Sequence, residues 1–97
     1  MKVIVGPRGT GKTKELLFAA QQEGGIVLTG NKRALQEKAR AYGIEGVTIV
    51  DWDDIIYRDN ELNSKPLFVH KLDDVIESYF WDDYGFRLKG YSLTVEE

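Results

Sequence analysis

Gly6, Pro7, Arg8, Gly9, Thr10, Gly11, Lys12 and Thr13 stand in the spacing G-x-x-x-x-G-K-[ST], and no other stretch of this 97-residue chain constrains its fold so tightly. The spacing asks for a strand that hands over to a helix through a loop wrapped around an anion. Backbone N–H groups then converge inside the loop, and the positive end of the helix dipole lies beside them. Gly6, Gly9 and Gly11 supply turns that a side chain would hinder. Pro7 stiffens the loop and removes one N–H. Lys12 reaches for the outer phosphates, and the Thr13 hydroxyl is placed to bind Mg²⁺. The context agrees with the motif, because Val3-Ile4-Val5 precedes it and a helix-like segment follows.

The rest of the chain repeats the same alternation. Residues 2–5 read as a buried strand and residues 12–23 as a helix stopped by Gly24-Gly25. Ile26-Val27-Leu28-Thr29 reads as a second strand. Asn31 is suited to cap a helix over residues 32–42. Val47-Thr48-Ile49-Val50 forms a third strand, after which Asp51 is positioned to open a short helix through about residue 57. Residues 58–65 are polar and read as a loop. A fourth strand centres on Leu67-Phe68-Val69, a helix covers residues 73–81, and residues 82–89 form a turn around Gly85. Tyr91-Ser92-Leu93-Thr94-Val95 reads as the last strand.

Alternating strands and helices predict an α/β protein with a mainly parallel sheet of about five strands, covered on both faces as a three-layer α/β/α sandwich. Right-handed crossovers place the ligand at the carboxyl ends of the strands. No linker divides residues 1–97, so a single nucleotide-binding domain is expected. That length leaves room only for a minimal core, which makes a protein partner or a second copy an expectation of size alone. A formal charge of −3 speaks against a general electrostatic grip on nucleic acid. The chain has no cysteine, excluding disulfides and thiolate metal sites. With no leader-like pattern at the start and no apolar run of about 20 residues, a cytoplasmic protein away from the membrane is expected.

Hydrolysis of a bound nucleotide asks for further carboxylates near the metal. Two places offer them. Asp51 follows four strand residues, although helix capping explains an aspartate there as well. Asp73 and Asp74 follow the fourth strand, but His70 and Lys71 occupy the two positions directly after its apolar run. Thr13, Asp51 and Asp73 are thus the candidate metal residues. For His70 the alternatives are a strand-end residue bonded to backbone or solvent, and a role beside the phosphates.

The order of these features resembles a known family. The loop at residues 6–13, Ile26-Val27-Leu28-Thr29-Gly30-Asn31-Lys32, the strand ending at Asp51 and Val69-His70-Lys71-Leu72-Asp73-Asp74 look like the first RecA-like domain of additional-strand P-loop ATPases. Within that group the chain is similar to superfamily 1 helicases and to small stand-alone P-loop NTPase-like proteins of phages and prophages. The resemblance implies ATP as ligand and Mg²⁺ as its companion. It also implies that His70 stands where the Mg²⁺-orienting aspartate belongs and Lys71 where a catalytic glutamate often sits. The second acidic motif is therefore degenerate, and a lysine cannot serve as a carboxylate base. Nucleotide binding with weak or no hydrolysis follows, regulating a partner. The alternative is an active ATPase or small phosphotransferase using Asp51 or Asp73.

Smaller signals complete the reading. Lys32, Arg33, Lys38 and Arg40 make the second helix basic, with Glu37 among them, which suits a solvated face better than a nucleic-acid track. Asn31-Lys32 begins like a guanine-specificity motif but lacks its aspartate, favouring adenine. Trp81, Tyr84 and Phe86 flank acidic residues and are expected partly outside, where aromatic faces can stack on a base or cover a partner.

Overall fold

The computed structural model describes residues 3–6, 9, 11–57 and 64–93. Three strands, β1 (Ile26–Leu28), β2 (Thr48–Val50) and β3 (Leu67–Val69), form one parallel sheet in the order β2-β1-β3. Around it lie four helices: α1 (Lys12–Glu23), α2 (Lys32–Ala41), α3 (Trp52–Ile56) and α4 (Leu72–Tyr84). Val27 is aligned with Ile49 on one side and Phe68 on the other, so the three apolar runs are in step.

The central strand is buried at all three positions, which explains its unbroken Ile-Val-Leu run. Side chains alternate between the faces of a strand, and β1 accordingly feeds two cores. Val27 joins Leu17 and Ala20 of α1, Leu35 and Ala39 of α2, and Ile44 and Ile49. Ile26 and Leu28 join Val50 and Val75 of α4, with Trp52, Ile55 and Val69 against them.

Local chemistry sets the ends of these elements. Gly24, left-handed at φ 65°, ends α1. Gly25 then lets the chain pass close to the start of β3, since a Cβ there would meet the Pro66 carbonyl at 2.7 Å. The Asn31 side chain accepts a hydrogen bond from the Ala34 N–H, the expected cap of α2. Asp51 and Asp54 form a reciprocal capping box on α3.

Three expectations need correction. The sheet has three strands among the described residues where about five were expected. Residues 3–5 form no strand and Val5 is 73% exposed; residue 2 lies outside the described residues. Residues 91–93 likewise form no strand, with Tyr91 61% and Leu93 49% exposed; residues 94 and 95 lie outside the description. Apolar and alternating patterns report fitness for a pleated surface, but a ladder also needs a neighbour in register. The third correction concerns α4, which continues to Tyr84 instead of ending near residue 81. Its Asp82 is held by a hydrogen bond from Ser78 one turn back, 2.8 Å, and left-handed Gly85 supplies the stop. Most of the expected loop at residues 58–65 lies outside the described residues.

Candidate phosphate site at the sheet's carboxyl edge

Parallel strands of similar length bring their carboxyl ends to one edge. Here the ladders run one residue beyond the strands: Thr29 N–H donates to the Val50 carbonyl at 3.0 Å and His70 N–H to the Leu28 carbonyl at 2.8 Å. Thr29 and His70 are therefore fixed side by side, and both are buried. The amino end of α1 meets this same edge.

Of the eight loop residues, Gly6, Gly9, Gly11, Lys12 and Thr13 are described; Pro7, Arg8 and Thr10 lie outside the description. Gly9 and Gly11 are both left-handed, at φ 80° and 79°. A Cβ at either would meet nothing within 4 Å. Their requirement is thus conformational, since L side chains strain in this region. Gly11 is the N-cap of α1, and its carbonyl takes the first helical hydrogen bond from Glu15 N–H at 3.0 Å. The Lys12 ammonium turns back to donate to the Gly6 carbonyl, bridging the two ends of the loop.

Thr13 is joined to the sheet by His70, whose Nε2 lies 3.2 Å from Thr13 Oγ1. On the other side of the ring, Nδ1 lies 3.0 Å from Thr29 Oγ1. Thr29 Oγ1 also lies 3.4 Å from the Asn31 N–H that would donate to it. One imidazole thereby connects the phosphate loop, the end of β1 and the start of α2. Burial, followed by the charges of Lys71 and Lys38, lowers the His70 pKa below its ordinary 6.5; Asp74 opposes the shift. The ring is neutral at pH 7. Of the two roles weighed for His70, the geometry gives it side-chain partners within the loop-to-sheet junction.

The candidate carboxylates are placed differently. Asp51 ends β2, which is separated from β3 by β1, about 10 Å across at ordinary strand spacing. Its Oδ1 accepts from Asp54 N–H at 2.8 Å, so its carboxylate is engaged in capping. Asp54 returns the bond to Asp51 N–H and also pairs with Lys32 at 2.9 Å. The backbone N–H of Asp51, ahead of Lys32, holds the Asp54 carboxyl below its usual range, while Asp54 raises the Lys32 pKa. Asp73 is exposed in the first turn of α4. The residue brought to Thr13 is therefore His70, and neither Asp51 nor Asp73 is hydrogen-bonded to it.

This donor set does not suit a Mg²⁺ ion held by the protein. Mg²⁺ is hard, takes oxygen ligands in a tight octahedron, and leans on carboxylates. An imidazole faces Thr13, and among the described residues no three His, Cys, Asp or Glu side chains gather as a metal-binding group. Comparison of the chain with protein families, with curated proteins and with solved structures found no match.

Sequence reasoning missed Thr29, which reads as the last residue of an apolar strand. Its one signal is a hydroxyl at the point where an Ile-Val-Leu run meets Gly30. Two of the four cations on α2 have acidic partners: Lys32 pairs with Asp54, and Arg33 lies 3.6 Å from Glu37 one turn on. Trp81, Tyr84 and Phe86 are exposed as expected, with the Arg87 guanidinium 5.6 Å from the centre of the Trp81 ring. Among the described residues no helix is long and apolar enough to cross a membrane.

Proposed function

We propose that this chain binds a nucleoside triphosphate, with ATP as the favoured ligand, and hydrolyses it slowly or not at all. The observation that carries the reading is the junction of Thr13 with His70. It sets the last residue of a G-x-x-x-x-G-K-T loop against the carboxyl edge of a parallel sheet, where α/β proteins take ligands. Gly9 and Gly11 support it with the left-handed turns such a loop requires, and Lys12 supplies a cation that folds back onto the Gly6 carbonyl. Mg²⁺ would arrive with the nucleotide and not as an ion held by the protein's own side chains. Slow hydrolysis follows from the resemblance, which would put His70 where a Mg²⁺-orienting aspartate belongs and Lys71, a cation, where a carboxylate base often sits. In this reading the nucleotide state regulates a protein partner or a second copy in the cytoplasm, in keeping with the resemblance to small phage P-loop proteins.

The finer fold belongs to the same proposal. β3 forms one border of the described sheet, and Leu67 on it is 53% exposed. Two further strands beside that border would bring the sheet to about five and complete a three-layer sandwich.

The test is ATP affinity measured calorimetrically on wild type and Lys12→Ala. Removal of a charge-assisted contact to phosphate lowers affinity at least about tenfold, roughly 1.4 kcal/mol. Equal affinity in the two proteins overturns the assignment.

A further inference from the structure

We infer that Thr13 offers its hydroxyl proton to a phosphate oxygen and does not present a lone pair to a cation. The site then grips the polyphosphate itself, with little help from a divalent metal. This rests on the nucleotide-binding reading and sharpens it by naming the bare polyphosphate as the recognised group.

The argument is a count of protons around His70. Thr29 is only 4% exposed, so its hydroxyl proton needs an acceptor within the protein. Two groups lie within reach of its oxygen. The Asn31 N–H can only donate, which leaves His70 Nδ1, 3.0 Å away, as the acceptor among the described residues. With Nδ1 accepting, the ring proton sits on Nε2. Nε2–H then donates to Thr13 Oγ1, 3.2 Å away.

Thr13 is thereby an acceptor toward His70 and retains its own proton for whatever enters the loop. The ring proton takes one of the two lone pairs on Thr13 Oγ1, which leaves that oxygen a poorer ligand for a cation. A carboxylate at position 70 would do the opposite, because it can only accept: it would take the Thr13 proton and turn the oxygen's lone pairs outward. The opposite ring tautomer would leave the buried Thr29 proton without an acceptor among the described residues, which is the costly arrangement.

The test uses the full chain in two independent measurements. Calorimetric titration with ATP, once with excess Mg²⁺ and once with EDTA, should give affinities within about threefold of each other. Ring ¹⁵N NMR should show the Nε2–H tautomer, and because the chain has a single histidine the signal has one source. His70→Asp should bind ATP at least about tenfold more tightly with Mg²⁺ than without. Should that variant fail to fold, the two wild-type measurements still decide. An Nδ1–H ring, or wild-type binding that needs Mg²⁺ by tenfold or more, overturns the inference while the nucleotide reading stands. No ATP binding under either condition removes both.

Discussion

Burial decides the charge of His70, and charge decides what the residue can hold. The ring lies between two threonine hydroxyls, with Lys71 next in the chain and Lys38 adding further positive potential. Protonation would put a donor on both nitrogens, breaking the bond that needs an acceptor at one of them. Because the folded pKa lies below the ordinary 6.5, the unfolded chain takes up this proton first as the pH falls. The contribution to stability is complete above about pH 6.5 and is lost as the pH drops through the folded value. Thermal melts from pH 8 to pH 5 should show wild type losing more stability than His70→Gln over the acid half of that range. Parallel curves would mean that the ring's environment is not the one described. The loop motif made Lys12 and Thr13 visible in the sequence, and His70 stood out as a misfit at a strand end. Thr29 did not, because a hydroxyl at the close of an apolar run announces nothing until a partner 41 residues later is placed beside it.

At the scale of elements, most boundaries were written in short-range chemistry. Gly24, Asn31 and Asp51 stop or start their helices by mechanisms local to a few residues, and the structure uses each as the sequence implied. The end of α4 was misjudged because Asp82 and Asp83 look like turn residues, whereas Ser78 and Gly85 carry the helix through them. Strand formation was harder to foresee, since residues 3–5 and 91–93 have suitable side chains yet no ladder. The double role offered to Asp51 can be separated experimentally. As the cap of a five-residue helix, Asp51→Ala should cost about 1 kcal/mol in chemical denaturation and leave ATP affinity unchanged. A variant with full stability and lost ATP binding would return Asp51 to the metal site.

For the molecule as a whole, a domain of about this length has a modest stability in general, so a ligand should have a visible effect. Binding confined to the folded state adds about 2.7 kcal/mol when ATP is at 100 times its Kd. In a domain of this size each kcal/mol moves the unfolding midpoint by about 4–8 °C. A rise of roughly 10–20 °C is therefore expected in a thermal shift assay with saturating ATP, and a midpoint that does not move would argue against a ligand at this edge. The α/β class and the parallel order were legible because alternation of strand and helix patterns constrains both. Strand number was not, since suitable side chains make a strand only where a neighbour lies in register, and residues 3–5 and 91–93 join no ladder. The border at β3 has a corollary of its own. Among the described residues no strand pairs with its outer side, and an edge row of amides and carbonyls without a partner accepts any extended backbone that arrives in step, whether from the same molecule or from a neighbour. How crowded the solution is during refolding then governs whether these molecules stay solitary or zip together.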